Sequence, residues 1–183
     1  AKVPVEFVGH PLVDLVRPSQ PRSAFLHAVG LAADTPTVAV LPGSRPNEIS
    51  RLLPDLLRAA HLIRAQVPRA QFVVARAPNL DDALFVACRS EPGLAVVEDE
   101  TDAVLASADV ALVASGTATV QAALHDTPMV VVYRVSPTTY RIARRLVNVD
   151  TFGMVNLIAG ARLVPELIQD ACTPEAIARE AIS

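Results

Sequence analysis

Along the chain, short apolar runs rich in Val and Ala alternate with longer segments whose apolar residues recur every three or four positions. The short runs, at 37–41, 71–75, 94–97, 109–114 and 128–133, are predicted strands. They are continuously apolar rather than alternating, which suits a parallel sheet covered on both faces. Between the first two, Ile49, Leu52, Leu53, Leu56, Leu57, Ala60 and Ile63 fall at helical steps. That spacing predicts an amphipathic helix over 46–66, with Pro54 expected to kink or restart it. Further helices are predicted over 20–30, 80–89, 101–107, 117–125, 137–147 and 174–182. The strand-then-helix alternation predicts an α/β fold, a doubly wound parallel sheet of Rossmann type.

The first apolar run, Val3–Val8, also reads as a strand, and the proline-bearing stretch 11–21 reads as a linker. Residues 1–16 are therefore expected to belong to a preceding domain, with 17–183 forming the α/β domain. The chain begins at Ala1 rather than Met, which suggests a piece cut from a longer protein.

Composition narrows the function. With 183 residues, 51% of them hydrophobic, the chain can bury a sizeable core. No apolar run approaches the ~18 residues of a membrane span, so it reads as soluble or peripheral. A net charge of -3 and a pI of 5.8 lack the basic footprint of a nucleic-acid binder. Lys2 is the only lysine, so arginines carry the positive charge. Cys88 and Cys172 match no metal or redox spacing and are expected to be buried free thiols in a reducing compartment. His10, His27, His61 and His125 are scattered without zinc spacing. Neither a metal nor a cofactor is expected.

Two turns carry the candidate chemistry. The run ending at Ala114 breaks into Ser115-Gly116-Thr117 and then reads as a helix; the run ending at Leu41 breaks into Pro42-Gly43-Ser44-Arg45-Pro46-Asn47-Glu48 and does the same. A helix opening at such a turn presents unpaired N–H groups and the positive end of its dipole to an anion, and glycine lets a phosphate approach closely. Hydroxyls of Ser115, Thr117 and Thr119 add candidate donors. Taken singly, Ser115-Gly116-Thr117 reads equally as a helix cap, and Arg45 with Glu48 as a surface pair. Two such turns at one sheet edge point to a diphosphate. Neither Gly-x-Gly-x-x-Gly nor a P-loop is present, which leaves a mononucleotide or sugar nucleotide. Arg134, directly after the last strand, is either a bidentate phosphate ligand or a surface arginine. The 140–147 segment, with Arg141, Arg144 and Arg145 among apolar residues, fits a solvated helix face or an anionic membrane surface.

Six ordered motifs add a resemblance: VGHPLVD (8–14), LPGSR with Glu48-Ile49 (41–49), ASGTAT (114–119), PMVV with Tyr133-Arg134 (128–134), NLIAG (156–160) and PELIQ (165–169). In this order they resemble the lipid-A-disaccharide synthases over nearly the whole chain. The resemblance implies the C-terminal, donor-binding half of a GT-B glycosyltransferase. In that family 2,3-diacylglucosamine passes with inversion from UDP to 2,3-diacylglucosamine 1-phosphate without a catalytic metal. It further implies catalytic Arg45 offsetting charge on the departing UDP, and donor binding by Ser44, Glu48, Ser115, Gly116, Thr117, Gln121, Arg134 and Asn156. The acceptor site, a lipid acceptor and the general base would come from an N-terminal half. A cytoplasmic location peripheral to the inner membrane of a Gram-negative bacterium is implied, and a homodimer is compatible with it. Gln121 stands where the family usually has Glu, and Val155 where it usually has Pro. Other GT-B UDP-sugar enzymes, such as an N-acetylglucosaminyltransferase or a UDP-GlcNAc 2-epimerase relative, and a non-catalytic UDP-sugar-binding module are the alternatives.

Overall fold

The computed structural model describes residues 6, 9–17, 20–136, 140 and 151–183. Six strands, β1 (Thr37–Leu41), β2 (Gln71–Arg76), β3 (Leu94–Glu98), β4 (Val110–Ala114), β5 (Met129–Tyr133) and β6 (Glu166–Ile168), form one sheet in the order β3-β2-β1-β4-β5-β6. Every pairing is parallel, with Val38 opposite Phe72 on one side and Val110 on the other. The described α-helices are α1 (Leu12–Leu15), α2 (Arg22–Ala28), α3 (Pro46–Gln66), α4 (Thr101–Ala106), α5 (Ala118–Leu124), α6 (Met154–Ala159) and α7 (Pro174–Ile182).

The Val- and Ala-rich runs form central strands because both of their faces are covered. Val38 and Val40 of β1, Phe72 and Val74 of β2, Leu112 of β4 and Val130 of β5 join Ile49, Leu52 and Leu56 of α3 and Ile177 of α7 in one core. The alternate residues Ala39, Leu41, Val73, Ala111, Val113 and Val131 join Phe25 and Leu26 of α2, Val104 of α4 and Ala122 of α5 in a second core. A period of two thus sorts each strand between two helical layers.

The five predicted strands are present within a residue or so of their expected bounds. The helix over 46–66 is a single element, not a broken one. Pro54 sits inside it on the exposed side, and the Ser50 carbonyl it leaves without an N–H partner belongs to an exposed residue that water can reach. The predicted helix at 80–89 is a 3-10 helix over Asp82–Ser90, opened by Asp81 accepting from the Ala83 N–H at 2.9 Å. The short elements α1, α6 and β6 were not anticipated; α1 lies inside the stretch read as linker. Most of Val3–Val8 and nearly all of 137–147 lie outside the described residues, as does the arginine-bearing helix expected there.

The two ends of the sheet differ. At the N-terminal end, Asp109 accepts two hydrogen bonds from Arg22, each 2.9 Å, and one from the Thr37 N–H at 2.7 Å. Gln71 bridges the Thr37 hydroxyl and the backbone of Ala32. These bonds tie the starts of β1, β2 and β4 to α2 and the segment after it. The C-terminal end is open.

Burial pushes the Asp109 carboxyl up, but the Arg22 and Thr37 hydrogen bonds outweigh it and leave the pKa below the ordinary 3.8. A depressed carboxylate stabilises the fold above its unfolded pKa, and that contribution is lost as pH falls through the folded one. Because the Asp109 side chain is 53% exposed, the contribution is expected to be no more than about 1 kcal/mol. Urea unfolding of Asp109→Asn should show its deficit at pH 7 and a smaller deficit near pH 3. In the core, fully buried Leu112 should lose about 2–5 kcal/mol on Leu112→Ala in the same measurement.

Candidate functional site

At the open end, β1 and β4 lie side by side, and the chain leaves them toward opposite faces: from β1 into α3 and from β4 into α5. A crevice at such a reversal is where open parallel sheets take ligands. Here it is a cleft of about 310 Å³, walled by Gly43, Ser44, Arg45 and Glu48 on one side and by Ser115, Gly116, Thr117 and Gln121 on the other. Ala75 and Ala77 at the end of β2 and Thr101 at the start of α4 complete it.

The β1–α3 turn is shaped by Gly43 and Glu48. Gly43 has φ 111°, a backbone angle that favours glycine, and a Cβ there would sit 2.7 Å from Glu48 Oε2 and push the carboxylate from its place. Pro46 occupies the first turn of α3, where its missing N–H costs nothing. Glu48 reaches back like the acidic member of a capping box: Oε2 accepts from the Ser44 N–H at 3.3 Å and Oε1 from Arg45 Nη1 at 2.8 Å. The surface-pair reading of Arg45 and Glu48 is thus correct as geometry, yet both line the cleft. Arg45 is 77% exposed and keeps further donors.

The β4–α5 turn presents backbone. Gly116, at φ 153°, leads into Thr117, and among the described residues no acceptor meets the N–H groups of Gly116, Thr117 or Ala118. Ser115 N–H donates to the Val132 carbonyl at 2.9 Å and its hydroxyl to the Phe152 carbonyl at 3.0 Å. Thr119 does not serve as a cleft donor: it is fully buried, and its hydroxyl donates back to the Gly116 carbonyl at 2.8 Å. One turn beyond Thr117, Gln121 donates from Nε2 to Asp102 Oδ1.

Two expected site residues lie elsewhere. Arg134 does not face the cleft. Its guanidinium donates to buried Asp55 of α3 and to the Cys172 carbonyl, joining the end of β5 to the opposite helical layer. Asn156 is fully buried and its amide is fully engaged. Nδ2 donates to the Val164 carbonyl and to Glu166 Oε1, while Oδ1 accepts from the N–H groups of Leu163 and Val164. Glu166 also accepts from the N–H groups of Phe152 and Gly153 at 2.7 and 3.0 Å. Asn156 therefore acts one layer behind the cleft: it holds Glu166, which holds Phe152, whose carbonyl receives Ser115. The motif residue Gln169 closes the same region by pairing with both backbone groups of Val135. Asp102 and Phe152 lie outside the motifs, and Glu166 stands in PELIQ without a role assigned to it, because what each does depends on contacts distant in sequence. Cys88 and Cys172 are buried and unpaired, and burial pushes both thiols up, Cys88 to about 11 with help from Glu91.

A family model described as lipid-A-disaccharide synthetase matches residues 1–183. The lipid-A-disaccharide synthase of Syntrophus aciditrophicus is 44% identical over 186 residues, covering 100% of this chain and 49% of that protein. The chain thus spans about half the length of the curated relatives it matches. Among solved structures, the Escherichia coli ADP-heptose lipopolysaccharide heptosyltransferase II has TM-score 0.57 at 15% identity, with 87% of this chain and 49% of that one covered. The Methanocaldococcus jannaschii UDP-GlcNAc 2-epimerase, solved with UDP-GlcNAc and UDP, has TM-score 0.55 at 14% identity over 92% of this chain and 42% of its own. These two share the fold.

Asn156→Ala would leave the Leu163 and Val164 N–H groups without their acceptor. It would also take a donor from buried Glu166, and we expect a loss of about 2 kcal/mol in unfolding free energy, the cost of these lost hydrogen bonds, measured by chemical denaturation.

Proposed function

This chain belongs to the lipid-A-disaccharide synthetase family, and from that premise we propose that it is the donor-binding half of an inverting glycosyltransferase that transfers 2,3-diacylglucosamine from UDP to 2,3-diacylglucosamine 1-phosphate. The observation that carries this reading is the meeting of two strand-to-helix turns, Gly43–Glu48 and Ser115–Thr117, across one cleft at the β1/β4 reversal. A diphosphate fits donors that converge from two sides. The N–H groups of Gly116, Thr117 and Ala118 supply one set, with the positive end of α5 behind them. Ser44 and the exposed Arg45 guanidinium supply the other. The UDP and UDP-GlcNAc held by the fold-sharing epimerase are in keeping with a nucleotide sugar here.

In this reading Arg45 is the catalytic residue. As the glycosidic bond breaks, negative charge grows on the departing UDP, and a cation in place beforehand stabilises that charge more than it stabilises the ground state. Glu48 steadies Arg45 and the Ser44 N–H, a holding role that suits a carboxylate better than direct contact with phosphate would. Gln121, on the same face of α5 as Thr117, accepts from the ribose hydroxyls. Arg134 and Asn156 support the donor pocket from behind. The half of the relatives that this chain does not span supplies the acceptor site and the general base. The acceptor is a lipid, so the assembled enzyme meets its substrate at a membrane surface, as a peripheral protein on the cytoplasmic side. Among the described residues no helix is long and apolar enough to cross a membrane.

Calorimetric titration with UDP tests the site. Binding is expected, and Arg45→Ala should weaken it roughly ten-fold, the loss of one charge-assisted bond of about 1.5 kcal/mol. Arg134→Ala, which alters no cleft wall, should change UDP affinity less than two-fold while lowering thermal stability. No heat with UDP, together with tight binding of a dinucleotide, would overturn the reading. Disaccharide formation should require an N-terminal half supplied from a relative.

A further inference from the structure

Behind Gln121 lies a polar cluster that no sequence motif marks. Gln121 and His125 are four residues apart on one face of α5 and its end, and both turn toward Asp102 in the first turn of α4. Asp102 Oδ1 stands 3.4 Å from Gln121 Nε2 and 3.0 Å from His125 Nε2. The His125 side chain is only 4% exposed and that of Asp102 32%. An ionised carboxylate only accepts, so both neighbours donate to it: the glutamine turns its NH2 inward, and the imidazole carries a proton on Nε2. At 3.4 Å the glutamine contact is long for a hydrogen bond, and it sets Nε2 rather than Oε1 toward the carboxylate. The flipped amide would set its oxygen against a carboxylate oxygen.

We propose that Asp102, held by His125, is a positioning residue that fixes the Gln121 amide with its carbonyl oxygen toward the cleft, making Gln121 a one-way acceptor for the vicinal hydroxyls of a ribose. A glutamine free to flip offers a donor as readily as an acceptor, and a hydroxyl pair gains less from it. With Asp102 in place the side chain meets hydroxyl donors much as a carboxylate would, without adding charge near a diphosphate. A glutamate at 121 would instead put two carboxylates in contact. This inference rests on the donor-site reading above.

The test compares UDP with 2′,3′-dideoxy-UDP, titrated calorimetrically into the 183-residue chain and into Asp102→Ala and Gln121→Ala. The ratio of the two dissociation constants cancels any general weakening of the site. Wild type should prefer UDP by about ten-fold and Gln121→Ala by less than about two-fold, with Asp102→Ala falling to about three-fold, on the scale of neutral hydrogen bonds. Asp102→Leu, similar in shape and without an acceptor, serves if the alanine variant does not fold. An unchanged ratio in the Asp102 variants, alongside a collapsed ratio in Gln121→Ala, overturns the positioning role and leaves the donor site standing. An unchanged ratio in Gln121→Ala overturns the ribose contact as well. Failure of wild type to bind UDP overturns the donor-site reading and this inference with it.

Discussion

The adjacency of β1 and β4 is the constraint on which the rest of this structure depends. The two strands run parallel in register, Val38 beside Val110 and Leu41 beside Val113, yet their chains exit to opposite helical layers. Two turns leaving one edge in opposite directions cannot pack against each other, and a crevice opens between them. Into it point the start of α3 on one side and of α5 on the other. The cleft is therefore a product of topology before it is a product of any side chain.

What the side chains add is stiffness. Gly43 admits the Glu48 carboxylate, which takes the Ser44 N–H and Arg45 and so holds the first turn of α3 in shape. Across the cleft, Ser115 is tied to exposed Phe152, Phe152 to buried Glu166 and Glu166 to fully buried Asn156, a chain of hydrogen bonds that runs from the surface inward. The Arg22–Asp109–Thr37 cluster performs the corresponding task at the opposite end of the sheet. Polar residues thus tie one edge together and frame the other, and at the framed edge the N–H groups of Gly116, Thr117 and Ala118 meet no acceptor among the described residues.

Much of this was legible in the chain itself. Continuous Val and Ala runs announce strands buried on both faces, and the Ile49-to-Ile63 spacing announces α3, because in each case one local period repeats long enough to be read. The turns at Gly43 and Gly116 were equally plain, since glycine after an apolar run has few other uses. Legibility failed where an element is short or a partner is remote. β6 has three residues, too few for a period. Asp82–Ser90 has helical spacing but tightens into a 3-10 helix, a difference that apolar positions do not encode. Arg134 follows β5 at the correct edge, but edge position does not say to which face a side chain turns, and buried Asp55 draws it away. Asn156 and Glu166 were both visible as motif residues, but their pairing with each other, and that of Asn156 with Val164, was not.

By itself the sequence determined the class of fold, the two glycine-bearing strand-to-helix turns and the family, because these depend on local periodicity and on ordered short motifs. Only the tertiary structure decided which motif residues meet in the cleft and which stand behind it. Strand order, the exit of β1 and β4 to opposite faces, and the pairing of Gln121 with Asp102 are contacts between distant segments. Such contacts are settled by how the layers pack, not by any one segment's own preference.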